Sequence, residues 1–141
     1  MHFLGVNVWA VLACAVATMI LGFVWYSPAL FAKPWMILMG YDPNDKAKIA
    51  EMQKSAGPSY AMSMVACILS ALVLGKIIAV SNVTTPLNGL LIGMAVWLGF
   101  VTTVQLTNSL FMRQRANLYL INTGYQLVCY LAMGAILGAW R

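Results

Sequence analysis

Amide and hydroxyl side chains gather in the second half of the chain. Gln105 and Asn108 precede a short basic loop, and Asn122, Tyr125 and Gln126 follow it. An amide both donates and accepts hydrogen bonds, but it neither gains nor loses a proton near neutral pH. The chemistry that these residues predict is therefore hydrogen bonding, either between helices or to a bound molecule.

Groups that could activate a nucleophile or bind a metal lie elsewhere. All three carboxylates, Asp42, Asp45 and Glu51, fall in one polar segment, and the single histidine is His2. A serine or threonine nucleophile needs a neighbouring base, and a transition metal needs several His, Cys or carboxylate ligands. The sequence therefore predicts a protein that is not an enzyme and that has no cofactor and no metal site.

The elements that must position these residues are four long apolar segments. The chain is 62% hydrophobic and 8% charged, whereas soluble domains are roughly 25% charged. Each segment reaches the roughly 20 residues that a helix needs to cross a bilayer. The segments are 6–24, 60–80, 87–111 and 118–140. The predicted fold is one all-α domain over 1–141, an integral membrane four-helix bundle with a cytoplasmic loop at 25–59.

The first loop carries its own pattern. Residues 28–39 are apolar except for Lys33, and the stretch is too short to cross a membrane. It is typical of an interfacial amphipathic helix, which Gly40 ends. Asp42 then predicts an N-cap, with Pro43 at the first helical position, opening a polar helix that continues to about Lys54.

The distribution of Lys and Arg predicts the orientation. The loop between the first and second segments and the loop between the third and fourth lie on one side of the membrane and are basic. Only Lys76 and Arg141 lie on the other side. The six residues in those loops are Lys33, Lys46, Lys48, Lys54, Arg113 and Arg115. The positive-inside rule then places these loops in the cytoplasm and both termini outside. The net charge of +5 predicts contacts with anionic membrane lipids and no nucleic-acid partner.

A cleaved signal peptide is the alternative for the first segment. Its start carries no Lys or Arg, and the apolar run continues past the small residues at 13–17. Both features favour an uncleaved membrane anchor. The three cysteines, Cys14, Cys67 and Cys129, fall in different segments without paired spacing, which predicts small apolar packing residues.

Small residues recur every fourth position within the apolar segments. The stripes comprise Ala10, Cys14, Thr18 and Gly22 in the first segment; Ser59, Ser63, Cys67, Ala71 and Gly75 in the second; Gly89 and Gly93 in the third; and Gly134 and Gly138 in the fourth, beside Ala135 and Ala139. Helices in lipid associate through close approach at such stripes and through hydrogen bonds. Tight packing is expected within the monomer and between copies in a homo-oligomer.

Four short motifs resemble a known family. They are GFVWYSPALF at 22–31, WLGF at 97–100, TN at 107–108 and NTGY at 122–125. In these motifs the chain resembles the bacterial membrane proteins grouped as domain-of-unknown-function family 1761, and the WYSP segment is the most specific part. The resemblance covers essentially the whole chain. It implies a four-span, multi-pass protein of the bacterial inner membrane and no established activity.

A hairpin about residues 114–115 would bring the polar residues together. Regular helices would place Asn108 level with Asn122, and Gln105 level with Gln126, within hydrogen-bonding reach. The N-terminal part of the chain contributes aromatic and hydroxyl groups at a similar depth. The complete candidate polar cluster is Gln105, Asn108, Asn122, Tyr125, Gln126, Trp25, Tyr26, Ser27, Arg113 and Arg115.

Two interpretations of this cluster lead to two functions. If the amides satisfy one another, they hold the helices together, and the protein is a small non-catalytic binding or scaffold subunit that assembles with itself or with a larger membrane complex. If they line a cavity, the protein is an uncoupled channel or carrier for a small neutral or anionic solute. Proton-coupled transport is disfavoured because no Asp, Glu or His lies within a span.

Overall fold

The computed structural model describes residues 1–140, and the chain within that range is mostly helical. The helices are α1 (Val8–Trp25), α2 (Ala32–Leu38), α3 (Lys46–Ser55), α4 (Gly57–Val80), α5 (Pro86–Val96), α6 (Thr102–Phe111) and α7 (Ala116–Ala139). A π-helical segment, Trp97–Val101, joins α5 to α6 in one continuous helix. The predicted all-α class is confirmed.

Within the described range, four helices are long and apolar enough to cross a membrane. They are α1, α4, the continuous helix Pro86–Phe111 and α7. Each overlaps one of the four apolar segments predicted from the sequence. The chain is therefore a membrane protein by the length and composition of its helices.

A two-stranded hairpin precedes α1 and was not predicted. Strands β1 (His2–Phe3) and β2 (Val6–Asn7) pair antiparallel. Leu4 and Gly5 join them with φ angles of 55° and 80°, because a tight hairpin turn of this kind needs positive φ at both central residues. The Asn7 side chain accepts a hydrogen bond of 3.0 Å from the Trp9 backbone N–H. This N-cap explains why α1 begins at Val8 and not at residue 6.

Helix α2 is shorter than the predicted helix at 28–39. The preceding residues form tight turns, in which the N–H of Phe31 donates to the Trp25 carbonyl and the N–H of Ala32 to the Ser27 carbonyl. Helical geometry therefore begins only at Ala32. Gly40, with φ of 87°, follows the end of the helix as predicted. The interfacial placement of α2 stays a prediction.

The polar helix α3 has a different cap from the one predicted. The side chain of Asp45 accepts from the Lys48 backbone N–H at 3.2 Å. The side chain of Asp42 accepts from the N–H of Asn44 at 2.9 Å and so forms a local turn of the kind that aspartate favours. The predicted cap at Asp42 and helix start at Pro43 are wrong, because this turn comes before the helix.

Helix α7 lies at the centre of the packing. It contacts α1, α4 and α5, most extensively α5. Gly89 and Gly93 of α5 cross Gly134 and Gly138 of α7, and a Cβ at Gly89 would collide with the Gly134 carbonyl oxygen. This close backbone approach is the packing that the small-residue stripes predict.

The buried core lies between α1, α4 and α7. Its largest fully buried side chains are Leu74 and Ile78 of α4 and Cys14 of α1. The Cys14 thiol donates to the Met133 carbonyl at 3.8 Å. All three cysteines are free, with Cys14 and Cys129 buried, in agreement with their predicted role as packing residues.

Candidate functional site

The WYSP segment at the end of α1 attaches to the first half of α7. The Trp25 Nε1 group donates to the Ile121 carbonyl at 3.0 Å, and the Tyr26 hydroxyl donates to Asn122 Oδ1 at 2.8 Å. Ser27 has a local role, because its hydroxyl donates to the Val24 carbonyl at 2.7 Å. Trp25 and Tyr26 therefore join two helices that are distant in sequence.

About one turn further along α7, a second set of polar contacts links α1, α4 and α7. The Tyr125 hydroxyl donates to the Thr18 carbonyl at 3.0 Å, and the Thr18 hydroxyl lies 2.9 Å from the Cys67 sulfur. Gly22 leaves room for this arrangement, since a Cβ there would lie 3.0 Å from the Tyr125 hydroxyl. We call Thr18, Trp25, Tyr26, Asn122 and Tyr125 the α1–α7 polar contact.

Aromatic rings pack around Trp25 and Tyr26 in this contact. The Tyr26 ring meets Tyr125 edge-on at 5.4 Å between centroids and Trp35 of α2 at 6.0 Å. The Trp25 ring packs against Phe31 at 4.8 Å. Desolvation by burial raises the pKa of Tyr26 to about 12, with a smaller contribution from Cys129. A tyrosine hydroxyl is protonated at neutral pH even at its ordinary pKa of about 10, so Tyr26 can donate to Asn122.

A different face of α7 holds the third span. The Trp97 Nε1 group donates to the Thr123 carbonyl at 3.0 Å, and the Thr123 hydroxyl donates to Thr102 Oγ1 at 2.8 Å. The Tyr119 hydroxyl is hydrogen-bonded to Thr102 as well. The candidate cluster omitted these residues. The sequence feature that could have identified them is the four-residue spacing of Tyr119 and Thr123, which places both hydroxyls on one helix face.

The amides of the third span do not join either set of contacts. Asn108 is exposed and has no side-chain hydrogen bond to the described residues. Gln105 Oε1 is buried without a hydrogen-bond partner in the same range. The predicted pairing of Asn108 with Asn122 is wrong, because Asn108 is exposed without a side-chain partner and Asn122 accepts from Tyr26 on the α1 side of α7.

The π-helical segment accounts for this error. Side chains in an α-helix advance by about 100° per residue, and a π-helical turn inserts an extra residue into that pattern. All residues after Trp97–Val101 are therefore rotated by about 100° from the positions that a regular helix would give. Thr102 faces α7 as a result, and Asn108 faces outwards.

The remaining candidate residues stay apart. Gln126 is half-buried, and its amide has no hydrogen bond within residues 1–140. Arg113 and Arg115 are both exposed in the loop before α7. The structure thus brings together Trp25, Tyr26, Asn122 and Tyr125 from the candidate cluster, but not its other amides or its arginines.

We call the outward surface of the third span that carries Asn108 the α6 face. It includes large apolar side chains that are strongly exposed, with Phe100 at 74% and Phe111 at 86% of full exposure. The defining residues are Phe100, Val104, Asn108 and Phe111, all exposed. The third span is the least buried of the four.

A separate groove of about 520 Å³ lies between α2 and the first turns of α7. Its lining is mostly apolar, with one lysine and one asparagine. The residues that define this α2–α7 groove are Phe31, Lys33, Pro34, Ile37, Leu38, Asn117, Leu120 and Ile121.

Comparison with known proteins agrees with the sequence motifs. No curated protein and no solved structure matches the chain. The family described as "Protein of unknown function (DUF1761)" matches residues 9–138. That range contains all four spans almost completely, together with the WYSP segment and both partners of the Tyr26–Asn122 hydrogen bond. The chain therefore belongs to the DUF1761 family.

Proposed function

We propose that this protein is a non-catalytic scaffold or binding subunit of the bacterial inner membrane, a four-helix bundle that assembles with itself through the α6 face. One observation carries the proposal. The amide of Asn108 is exposed and has no side-chain hydrogen bond to the described residues, and Phe111 beside it is 86% exposed. Both lie in a helix apolar enough to cross a membrane.

Unpaired amides are unfavourable in that position. Lipid hydrocarbon offers no hydrogen-bond partner, so a polar side chain there gains by meeting another polar group from a neighbouring helix. The hydroxyls of Thr103 and Thr107 already donate to backbone carbonyls of their own helix, at 2.9 and 3.0 Å. Asn108 has no such internal partner among the described residues, and an interhelical contact would supply one.

A second copy of this chain is the occupant that fits the α6 face best. An amide is self-complementary, because it carries both a donor and an acceptor. In a two-fold dimer the same surface of both chains meets, so two Asn108 side chains would face each other at equal depth. The exposed rings of Phe100 and Phe111 would be covered by the same contact.

The channel or carrier alternative would need the amides around one path. Asn122 instead accepts from Tyr26 on the α1 side of α7, and Asn108 is exposed on the α6 face. This separation of the amides is unfavourable for a permeation path, and because the amides do not pair with one another either, the scaffold role rests on the proposed contact between chains.

Subunit counting in native-lipid nanodiscs tests the self-assembly. Singly labelled wild-type protein should give mainly dimers or higher oligomers by stepwise photobleaching. Asn108→Leu should raise the dissociation constant on the order of tenfold, the value of one interhelical amide contact. The matched control is Asn88→Leu, which removes an exposed amide from the other end of the same span and should change the constant less than twofold.

Two results would contradict self-assembly. Wild-type protein that stays monomeric at native density has no α6-face contact with its own copies. Equal effects of Asn108→Leu and Asn88→Leu would mean that the position on the α6 face does not matter. Single copies found within a larger complex would instead identify another membrane protein as the occupant.

Orientation belongs to the same proposal. The six loop Lys and Arg residues predict cytoplasmic loops and outside termini. The position for a Cβ on Gly5 lies 3.8 Å from Lys76 Nζ, so the N-terminal hairpin and Lys76 share one end of the bundle. Arg141 lies outside the described residues. Reporter fusions after Lys54 and after Arg141 should report opposite sides, and a cytoplasmic signal from both would refute the four-span topology.

A further inference from the structure

We propose that the α2–α7 groove binds one anionic phospholipid, with its phosphate at Lys33 and an acyl chain along Ile37 and Leu120. The inference does not depend on self-assembly, because the groove and the α6 face share no residue. It specifies a ligand class and a position for it on the chain.

Two apolar side chains of the groove are exposed on the surface of the protein. Ile37 of α2 and Leu120 of α7 are 58% and 59% exposed, and both line the groove. Side chains of this size gain by apolar contact. An acyl chain supplies that contact, whereas a free phosphate ion does not.

The polar part of the groove favours negative charge. Lys33 lines it and is exposed, so its ammonium is free to meet a phosphate. Among the described residues that line the groove, none carries a carboxylate. Asp42, Asp45 and Glu51, the acids of this chain, all follow α2 in the segment that leads into and through α3. A lysine near the membrane surface attracts anionic lipid headgroups.

The order of the residues along α7 matches the order of groups in a phospholipid. Asn117 lies in the first turn of α7 and can hydrogen-bond to a headgroup oxygen. Leu120 and Ile121 lie about one turn further along α7 and belong to the apolar lining of the groove. The groove therefore combines the ammonium of Lys33 and the amide of Asn117 with an apolar wall. This pattern selects a lipid over a soluble anion.

Native mass spectrometry of the full chain tests the proposal. The detergent-solubilised protein is mixed with equal amounts of phosphatidylglycerol and phosphatidylcholine of identical chains. Wild-type protein should retain one phosphatidylglycerol preferentially. Lys33→Gln should reduce that preference roughly fivefold, the contribution of one lysine at a membrane surface. The charge-matched control is Lys54→Gln, which lies in α3 away from the groove and should leave the preference within twofold of the wild type.

A second pair of variants tests the acyl-chain part. Leu120→Ala should lower retention of both lipids, whereas Leu110→Ala, an exposed leucine of α6 outside the groove, should not. Excess glycerol phosphate should fail to displace the bound lipid. Equal losses in Lys33→Gln and Lys54→Gln would overturn the proposal, because they would show non-specific charge attraction. Displacement by glycerol phosphate would overturn it in favour of a free-phosphate site.

Discussion

The α1–α7 polar contact and the α6 face carry similar residues in opposite states. Each combines an asparagine with aromatic rings, and each lies on a helix long enough to cross a membrane. In the first, the amide of Asn122 is bonded to Tyr26 and the rings pack on one another. In the second, Asn108 has no side-chain partner among the described residues, and Phe111 is 86% exposed. Polar residues in a span thus stabilise the monomer only where the chain supplies both partners.

The two halves of the third span show how this difference arises. In α5, Gly89 and Gly93 bring the helix into backbone contact with α7. The π-helical segment then changes the rotation of the helix, and at Gly99 a Cβ would meet nothing within 4 Å. The first half is therefore fixed by close backbone packing inside the monomer, whereas the second half buries Thr102 and Ser109 and presents most of its other side chains outwards.

Alanine substitutions at these two glycines should give the largest contrast. Gly89→Ala should lower the free energy of unfolding by roughly 3 kcal/mol, because its Cβ collides with backbone that cannot move aside. Gly99→Ala should be neutral or raise the stability by up to about 1 kcal/mol, since alanine favours helix over glycine. Unfolding by sodium dodecyl sulfate from mild detergent micelles, followed by circular dichroism, measures both.

Each glycine is the control for the other, because both lie in one helix and receive the same methyl group. A similar loss for the two variants would mean that the α6 side of the span is packed as tightly as the α5 side. The contrast between packed and outward-facing halves would then be wrong.

A smaller effect is expected at the Tyr26–Asn122 hydrogen bond. Tyr26→Phe and Asn122→Leu should each destabilise the protein by about 1 kcal/mol. The double variant should lose less than the sum, with a coupling energy of about 0.6 kcal/mol and at most about 1.7 kcal/mol, as for other hydrogen bonds between membrane helices. The same unfolding assay supplies all four corners of the cycle.

The matched cycle pairs Tyr26→Phe with Asn108→Leu. These residues share no contact, so their effects should add within about 0.5 kcal/mol. Coupling in this cycle, or strict additivity in the Tyr26–Asn122 cycle, would contradict the assignment of Asn122 to the α1 side of α7.

Much of the fold was predictable because the signals are local. The length of the apolar segments follows from bilayer thickness, and the helices match them. Glycines at 89, 93, 134 and 138 predict close approach by spacing alone, and the structure places them against one another. The motif at residues 25–27 marked a candidate site, and Trp25 and Tyr26 do hold two helices together.

The rotation of α6 and the hairpin before α1 were not predictable in the same way. The expected Asn108–Asn122 pair assumed a regular helix through residue 108, but WLGFV at 97–101 is π-helical, and sequence periodicity gave no sign of it. The hairpin before α1 depends on two positive φ angles, one of them at Leu4, a residue type that seldom adopts them. In both places the packing of the whole chain overrides local preference.

The smallest effect on monomer stability is expected for Asn108→Leu. Compared with Asn122→Leu, this variant distinguishes the α6 face from the α1–α7 polar contact most sharply. An amide without a partner contributes nothing to the folded monomer, and leucine favours helix and lipid more than asparagine does. In detergent at high dilution, the free energy of unfolding should therefore stay within about 0.5 kcal/mol of the wild type or rise. Asn122→Leu, the same substitution at a bonded amide, should lose about 1 kcal/mol. A loss as large for Asn108→Leu would reveal a partner within the chain. If Asn108→Leu keeps the stability of the monomer but raises the dissociation constant of the assembly, Asn108 belongs to a contact between chains.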